Sequence, residues 1–429
     1  MSPNQFQNDA AIRQLILKLI ARELQPGSPL PGDDEDLVAT GLLDSMGWVG
    51  ILAGLEEATG IRNFGASWPA GRARSIRELV NAVRADLAKA QTHISSSDSQ
   101  GGGRAHGPVS VAGWGWALGS EKVSAATVEQ ECALPPGTIR DRAGIESVCR
   151  AVANEAEISL GVKAAELAIE KAGLGAEAID LLVATSATCL GFPSLAALLH
   201  NRLLLRESCA AVDVGGACVG VIHAFAAAQG WLAGGRRRVA LIVASEVNSR
   251  ALARPGVPGE FRGLFGDGAC AFVLQAAGST LAEGMRVGDF VSGCSGAFSS
   301  TLGVWQQDNG ALEVAFKGEP LASAAVATLN QVVGSLEALS TTPRSAVDFF
   351  AIHEPNPRLT EIFAHRAGIP LEKIARVAHM AGNLASVTCG VNLCKALSRL
   401  EEMPGGSPRG IIFAAAVGPG LLWAGTYLS

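Results

Sequence analysis

Residues 210–235 read AAVDVGGACVGVIHAFAAAQGWLAGG, and this stretch indicates the fold class of the chain. The apolar run at 210–214 predicts a strand, and Gly215, Gly216 and Ala217 permit a sharp turn after it. A mostly apolar helix is predicted to follow, with Cys218 at its start. A strand, a tight turn and a helix in succession are typical of an α/β domain.

The same alternation of short apolar runs with helical patterns continues on both sides of this stretch. Further strands are predicted at LLVATSA from residue 181, VALIVAS from 239, CAFVLQ from 270, FFAIHEP from 349 and GIIFAAAV from 410. Strands that alternate with helices indicate buried sheets. The α/β domain is predicted to run from residue 109 to 429, which is long enough for two similar halves that meet near residue 276.

The first 90 residues carry helical patterns instead. Helices are predicted at 9–23, within 37–61, and from Arg74 onward with Ser75 as a candidate cap. Three helices joined by loops in this length predict a small bundle. Residues 91–108, QTHISSSDSQGGGRAHGP, are rich in Ser and Gly and predict a flexible linker. The expected architecture is therefore α plus α/β, with a helical domain at 1–90, the linker at 91–108 and the α/β domain at 109–429.

Composition excludes several classes of protein. Hydrophobic residues make up 48% and charged residues 17% of the 429, which favours apolar cores over disorder. A net charge of −6 gives no electrostatic case for nucleic acid. No apolar run reaches the roughly 20 residues of a membrane helix, and the N-terminus lacks a signal-peptide core. The nine cysteines form no C-x-x-C pair, so no disulfide framework and no metal site are expected. We expect a cytoplasmic protein with reduced thiols.

Cys218 is the candidate nucleophile of the α/β domain. A thiol at a helix N-terminus is predicted to have a lowered pKa, because the helix dipole favours the thiolate. The alternative is a buried packing cysteine, which we expect for the other eight. His353 directly follows the predicted strand at 349, and Asn383 lies in a loop of small residues before another helix. A Cys, a His and an Asn at such positions fit nucleophilic catalysis.

Ser45 is the candidate site of the helical domain, within the stretch LVATGLLDSMGWVGILAGLEEATGI at 37–61. Asp44 and Ser45 also fit an N-cap, since their side-chain oxygens accept the first N–H groups of a helix. The tripeptide at 44–46, the later LEEATGI and the three-helix length resemble an acyl carrier protein. The resemblance implies 4′-phosphopantetheine on Ser45. Gly47, Trp48 and Gly50 stand at positions that are often acidic or polar in that family, which leaves Glu56, Glu57 and the loop GDDED as docking acids.

Residues 109–429 resemble β-ketoacyl-acyl carrier protein synthase III, within the thiolase superfamily. The matching motifs are IRDRAGI from 139, ATSAT and FPS from 184, DVGGACVG from 213, LFGDGACAFVL from 264, HEPNPR from 353, GN at 382 and GPGLLW from 418. The resemblance implies a five-layer αβαβα fold of two pseudo-symmetric halves and a homodimer. It assigns Cys218, His353 and Asn383 as the catalytic set. We take FGDGA at 265–269 as a structural turn.

The resemblance also implies the reaction. Cys218 would take an acyl group from a thioester, and a malonyl-type thioester on a carrier protein or coenzyme A would then lose CO₂ and condense with it. His353 and Asn383 would donate hydrogen bonds to the developing oxyanion. The domain's own carrier would be a partner, and the fusion suggests secondary metabolism. Two alternatives remain: transfer of the acyl group to a hydroxyl, amine or thiol without condensation, and a carrier module with a decayed synthase.

Three departures from the family pattern qualify the resemblance. Glu354 and Pro355 replace the Gln-Ala that often follows the histidine. Pro419 replaces a glycine whose N–H serves the oxyanion hole, and proline has no N–H. Thr138 replaces an aromatic residue that stacks on the adenine of coenzyme A, which favours a carrier-bound donor.

Overall fold

The computed structural model of the protein describes residues 9–24, 29–37, 40, 50–52, 54–55, 58–59, 74–92, 108–189, 191–235, 237–277, 284–307, 312–316, 318–403 and 410–429. The chain divides into two compact units. One comprises residues 1–103 and 317–331, and the other comprises residues 104–316 and 332–429.

The N-terminal part of the first unit is helical. It contains α1 (Asp9–Glu23), α2 (Ile76–Thr92) and further helical residues within 50–59. These segments share one apolar core, whose buried members are Ile12, Ile16, Leu19, Ile20, Leu37, Ile51, Leu52, Leu55, Ile76, Leu79, Val80 and Val83. The packing is close, because a Cβ added at Gly54 would lie 2.2 Å from a methyl carbon of Leu19. The helices predicted at 9–23 and from Arg74 are confirmed, whereas the carrier role of this part stays a prediction.

Ser75 caps α2, as predicted. The Glu78 N–H donates to Ser75 Oγ at 3.3 Å, and the Ser75 N–H donates to Glu78 Oε2 at 3.3 Å. This reciprocal pair is a capping box. The helix continues to Thr92, two residues into the predicted linker, because the Ala, Lys and Gln residues before it favour a helix. Residues 93–107 of the linker lie outside the described residues.

The acidic loop at 32–36 has partners within the first unit. Arg13 pairs with Asp33 at 2.7 Å, Arg77 with Asp34 at 2.5 Å, and Arg74 with Asp36 at 3.6 Å. These carboxylates remain partly or largely exposed in their ion pairs, and their role as docking acids stays a prediction. Asp44, Ser45 and Met46, and the predicted docking acids Glu56 and Glu57, lie outside the described residues.

The second unit is a mixed α/β domain. Its strands are β1 (Val109–Leu118), β2 (Glu121–Ser124), β3 (Ser147–Arg150), β4 (Leu181–Thr185), β5 (Ala210–Asp213), β6 (Val239–Val247), β7 (Asp267–Ala276), β8 (Met285–Cys294), β9 (Leu302–Gln306), β10 (Leu312–Phe316), β11 (Phe349–Ile352), β12 (Ile412–Gly418) and β13 (Leu422–Leu428). Each strand predicted from the sequence is present. Over the described residues, nine of them form one hydrogen-bonded series in the order β11-β12-β13-β8-β1-β7-β6-β4-β5.

The series consists of two halves with the same internal pattern. In the first half, β1 is antiparallel to β7, β7 is antiparallel to β6, and β6 is parallel to β4. In the second half, β8, β13, β12 and β11 repeat these relations in that order. Strand β5 extends the first half, and a parallel bridge from Phe350 to Ile374 takes its place in the second. The first half ends at Ala276, as predicted, and joins the second where β1 meets β8.

The helices that follow α2 in the chain complete the layers. They are α3 (Ala125–Glu131), α4 (Glu157–Lys171), α5 (Leu195–Arg202), α6 (Gly220–Ala233), α7 (Asn248–Ala251), α8 (Gly259–Arg262), α9 (Gly318–Ser340), α10 (Pro357–Ala367), α11 (Ala378–Ala381) and α12 (Ser386–Glu402). None of the helices among the described residues is long and apolar enough to cross a membrane.

Helices α6 and α12 form the middle layer. Phe225 of α6 and Val391 of α12 share one core with Ile242 of β6 and Ala414 of β12, so both halves of the sheet face these helices. A second core joins α4 and α5 to the outer face of the first half. On the second half, a Cβ added at Gly425 would lie 2.6 Å from the Val332 side chain of α9. The layers therefore run helix, sheet, helix, sheet, helix.

Candidate active site

A strained turn places Cys218 between β5 and α6. Gly216 has φ +143° and Ala217 has φ +45°, a value that a residue with a side chain rarely adopts. Residues Ala217–Val219 then form a single 3₁₀ turn, and α6 begins at Gly220. Cys218 therefore lies just before the helix rather than within its first turn. Strain of this kind clusters at functional sites.

Cys218 lies beside the turn that joins β12 to β13. A Cβ added at Gly418 would lie 3.2 Å from Cys218 Cβ and 3.4 Å from the Cys218 backbone nitrogen, so the two residues are close neighbours. Pro419 follows, and Gly420 has φ +71°. A side chain at Gly418 would therefore crowd Cys218.

The pKa of Cys218 differs from the sequence prediction. Burial raises the pKa of this thiol to about 12, and the negative charge of Glu246 raises it further, whereas the cysteine's own backbone N–H lowers it. A helix dipole contributes typically 0.3–1 kcal/mol, which is smaller than the several pKa units that full burial can add. The predicted lowering is therefore wrong for the protein without substrate, since desolvation outweighs the dipole.

His353 lies at the end of β11 as a neutral imidazole. It is 4% exposed, and burial lowers its pKa to about 4. Its Nδ1 is buried and has no hydrogen-bond partner among the residues that the structure describes, and Pro355, two residues later, has no N–H to offer. The backbone N–H of His353 donates to the Ala415 carbonyl on β12, the strand that ends at Gly418 beside Cys218. A neutral ring can donate one hydrogen bond without carrying charge.

Asn383 is held with its amide in a defined orientation. Its Oδ1 accepts from the Ala385 N–H at 2.9 Å and from Thr388 Oγ1 at 3.2 Å. Its backbone carbonyl accepts from the Gly266 N–H at 3.0 Å, and its N–H donates to the Leu264 carbonyl. Because the oxygen is engaged by two donors, Nδ2 is the group that remains to donate to a substrate.

The N-termini of α6 and α12 bring Asn383 to the same end of the middle layer as Cys218. A Cβ added at Gly220, two residues after the cysteine, would lie 3.4 Å from the Ser386 Cβ, three residues after the asparagine. The two segments also occupy equivalent places in the two halves. Ala385, just before α12, has φ +51°, as Ala217 has φ +45° before Cys218.

Glu246 is a member of this region that sequence reasoning missed. It is fully buried on β6 and accepts from Ser386 Oγ at 2.6 Å, from Ser186 Oγ at 3.2 Å and from the Ala187 and Thr188 N–H groups at 3.0 Å. Burial raises the pKa of its carboxyl. The signal was available, since an acid within the apolar run VALIVASEV is unusual for a buried strand.

The remaining predictions have mixed outcomes. The turn at 265–269 is structural, because Asp267 is buried and accepts from the Ala151 and Ser249 N–H groups. Thr138 is half-buried, and its hydroxyl donates to the Pro135 carbonyl at 2.7 Å.

Most of the other cysteines are buried or half-buried as expected. Cys294 is the exception, since it is exposed with its thiol 3.6 Å from the Gly420 carbonyl. No His, Cys, Asp and Glu cluster suited to a metal occurs in the described part of the chain.

Comparison with known proteins agrees with this geometry. The family model of 3-oxoacyl-[acyl-carrier-protein] synthase III matches residues 212–296, and the model of its C-terminal part matches residues 338–429. A β-ketoacyl-[acyl-carrier-protein] synthase III from Rhizobium meliloti (strain 1021) is 30% identical over 325 residues, which cover 74% of this chain and 98% of the relative. A relative of the same name from Rhodobacter capsulatus is 29% identical over 328 residues, with 74% and 98% coverage.

Solved structures show the same fold. The priming β-ketosynthase of the R1128 polyketide biosynthetic pathway has a TM-score of 0.67 and 25% identity, with 76% of this chain and 98% of that chain covered. The 3-oxoacyl-[acyl-carrier-protein] synthase III from Aquifex aeolicus VF5 has a TM-score of 0.65 and 24% identity, with 75% and 99% covered. The chain therefore belongs to the 3-oxoacyl-[acyl-carrier-protein] synthase III family of acyl-transferring enzymes.

Proposed function

We propose that this chain catalyses decarboxylative condensation in two half-reactions. In the first, Cys218 Sγ attacks an acyl thioester, the acyl group moves to sulfur, and the donor thiol leaves with the cysteine's proton. In the second, a malonyl-type thioester loses CO₂, and the resulting enolate carbon attacks the acyl-Cys218 carbonyl. Cys218 leaves as a thiolate and takes a proton from solvent water, and the product is a β-ketoacyl thioester.

His353 and Asn383 stabilise the enolate oxygen in this mechanism. Both would donate to the thioester oxygen of the malonyl group, His353 through its imidazole N–H and Asn383 through Nδ2. Fixed donors in a water-poor site stabilise developing negative charge without reorganising during the reaction. The Cys218 N–H would bind the oxygen of the acyl-cysteine, together with an amide near the 418–420 turn other than Pro419.

The orientation of the Asn383 amide is the observation that carries this proposal. Its oxygen is occupied by Ala385 and Thr388, so only the donor end is left for a substrate. Simple acyl transfer to an alcohol or amine needs a base that removes the acceptor's proton. His353 is a weak base here, because burial lowers its pKa to about 4. Two donors and a weak base suit enolate formation better than base catalysis.

Single-turnover chemistry separates condensation from the alternative of acyl transfer. The protein would be acylated on Cys218 and then mixed with a malonyl thioester, or with an alcohol, amine or thiol acceptor. The acyl mass on the peptide that contains Cys218 would be followed over time. We expect rapid loss with the malonyl thioester alone. Rapid loss to a simple acceptor without malonyl thioester would establish the acyltransferase function instead.

We further propose that residues 1–90 are an acyl carrier domain with 4′-phosphopantetheine on Ser45. The thiol of this group would hold acyl or malonyl units as thioesters. Ser45 lies outside the described residues, so this proposal rests on its sequence motif. The helices of the first unit support it, because α1, α2 and the helical residues within 50–59 enclose their own apolar core. A small bundle that is stable by itself can present a reactive arm at an exposed helix start.

Intact-protein mass spectrometry tests the modification. Incubation with coenzyme A and a phosphopantetheinyl transferase should add one phosphopantetheine mass to the protein. Ser45→Ala should abolish the gain. Ser75→Ala is the matched control, since Ser75 also caps a helix in the same unit and should leave the gain unchanged. Modification of Ser45→Ala at the wild-type level would overturn the carrier assignment.

The fused carrier and the absence of an aromatic residue at Thr138 support a carrier-bound donor rather than coenzyme A. We also propose a role in secondary metabolism, because the carrier and the synthase are fused in one chain. The solved relative named as a priming β-ketosynthase of a polyketide pathway is in keeping with it.

A homodimer is also proposed, and light scattering would test it. Strand β5 ends the sheet and would be protected by a second copy.

A further inference from the structure

Glu354, directly after His353, is a fully buried carboxylate with several donors. Its Oε2 accepts from the Val377 N–H at 2.8 Å and the Ala378 N–H at 3.2 Å. Its Oε1 accepts from Arg376 Nε at 3.2 Å. All three donors belong to the segment that leads through α11 to Asn383. The carboxylate therefore connects the end of β11 to the chain that carries the other catalytic donor.

A second connection runs from the same place to α12. Asn392 is fully buried, and its Nδ2 donates to the Ile352 carbonyl at 2.9 Å and to Glu354 Oε2 at 3.2 Å. One amide group thus contacts the residues on both sides of His353. Helix α12 begins three residues after Asn383, so this bond also links the two donors. Buried polar networks of this kind fix one arrangement of their elements.

The charge of Glu354 is matched by Arg376. The Arg376 side chain is 19% exposed and Glu354 is 0% exposed, so solvent screens the pair only weakly. Arg376 also approaches Glu361 at 3.6 Å, and Glu361 pairs with Arg358 on the exposed side of α10. Removing one partner of a buried ion pair leaves an unpaired charge or donor, whereas replacing both partners can be close to neutral.

We propose that Glu354 is a positioning residue that fixes His353 and Asn383 at the separation that decarboxylation requires. The inference rests on the proposed condensing function. Val377 and Ala378 are held by Glu354, and α11 with Gly382 then leads directly to Asn383. A displacement of Val377 and Ala378 also displaces Asn383, because only the single helical turn of α11 and Gly382 separate Ala378 from Asn383. Glu354 stands where the family often has a glutamine, and it forms an ion pair with Arg376 that a glutamine could not form.

A double-mutant cycle on Glu354 and Arg376 tests this role. In Glu354→Gln, the amide can keep one acceptor for the backbone N–H groups but presents N–H groups to Arg376. In Arg376→Gln, the carboxylate loses its cation. We expect each single variant to lower kcat for CO₂ release roughly tenfold to hundredfold, the size of effect that a displacement near 1 Å produces. KM and the rate of Cys218 acylation should stay within roughly threefold, because Glu354 contacts neither the thiol nor its turn.

The double variant Glu354→Gln with Arg376→Gln should recover kcat, since two neutral amides can bond to each other. Glu361→Gln is the matched control, because it removes the other acid of Arg376 without touching Glu354 or its backbone donors. Its kcat should equal the wild-type value. Circular dichroism and thermal unfolding would show whether each variant is folded. If a single variant does not fold, the test is the kcat of the double variant against that of Glu361→Gln.

The outcomes separate this inference from the proposed function. A folded Glu354→Gln with wild-type CO₂ release overturns the positioning role alone. A double variant no faster than either single variant also overturns it, because a restored bond between the two side chains would then fail to restore the position of the catalytic donors. Wild-type protein that acylates Cys218 but releases no CO₂ from a malonyl thioester overturns the proposed function.

Discussion

Asn383→Asp tests whether the asparagine acts as a hydrogen-bond donor. The aspartate has nearly the same shape, and one carboxyl oxygen can keep the bonds from the Ala385 N–H and Thr388 Oγ1 that Asn383 Oδ1 accepts at 2.9 and 3.2 Å. The other oxygen replaces Nδ2. The substitution therefore preserves the local fold and converts the donor that faces the substrate into an acceptor.

The expected loss is large and confined to one half-reaction. Removing one oxyanion donor typically costs about 10²–10³ in kcat, or about 2.7–4 kcal/mol. CO₂ release from a malonyl thioester should fall by at least this factor, because an ionised aspartate would also repel the enolate. Acylation of Cys218 should change by less than roughly threefold, since Asn383 takes no part in the first half-reaction.

Two further measurements sharpen the test. Burial raises the pKa of a carboxyl group, so part of the new aspartate becomes protonated as the pH falls, and its O–H can then donate. The rate of CO₂ release by Asn383→Asp should therefore increase as the pH is lowered from 8 to 5.5. Thr388→Ser is the matched control, because it keeps Nδ2 and the hydroxyl that donates to Oδ1 and accepts from the Leu384 N–H, so its CO₂ release should stay near the wild-type rate. Wild-type CO₂ release by Asn383→Asp at pH 8 would refute the donor role.

Four other predictions follow from the site and the domain arrangement. Alkylation of Cys218 by iodoacetamide should rise about tenfold per pH unit from pH 6 to pH 9, because burial raises the pKa of this thiol to about 12 and only the thiolate reacts. A plateau below pH 9 would contradict this. CO₂ release by pre-acylated protein should be level from pH 8 to pH 5.5 and fall only as the pH approaches the lowered His353 pKa of about 4, because the ring stays neutral above that pKa; an inflection near pH 6.5 would show a normally titrating histidine. Gly418→Ala should slow Cys218 acylation roughly tenfold, because its methyl group would lie 3.2 Å from Cys218 Cβ. Gly296→Ala is the control and should match the wild type, because a methyl group there meets nothing within 4 Å. Cutting the chain within residues 93–107 should make turnover depend on carrier concentration, because tethering gives an effective concentration in the millimolar range. Arg358 is an exposed cation that we expect to bind carrier acids, so Arg358→Glu should weaken turnover further; a severed pair that works at micromolar concentration without regard to Arg358 would show that the carrier serves another enzyme.

Much of the α/β domain could be predicted because its strands are short apolar runs bounded by small or polar residues. Strands β4, β5, β6, β7, β11 and β12 were all visible in this way. Strands β1, β8 and β13 were not predicted, because their sequences VSVAGWGWAL, MRVGDFVSGC and LWAGTYL mix glycine and polar residues into the apolar pattern. These are the strands that join the two halves or lie beside that junction, and only the tertiary pairing identifies them.

Part of the candidate site was also predictable. Cys218, His353 and Asn383 each follow a predicted strand or precede a predicted helix, which is where side chains project from an α/β sheet. The state of the thiol was not predictable, because its pKa depends on how completely the fold excludes water from Cys218. The links made by Glu246 and Glu354 were not predictable either, since their donors come from residues far away in the chain.

The ratio of CO₂ released to β-ketoacyl thioester formed tests the central claim most directly. Wild-type protein would be supplied with an acyl thioester and a malonyl thioester, and both products would be quantified over the same time course. We expect one CO₂ for each β-ketoacyl thioester, and neither product above background in the double variant that combines Cys218→Ala with Asn383→Asp. Consumption of the acyl donor without CO₂ release or carbon–carbon bond formation would contradict the account and identify a simple acyltransferase.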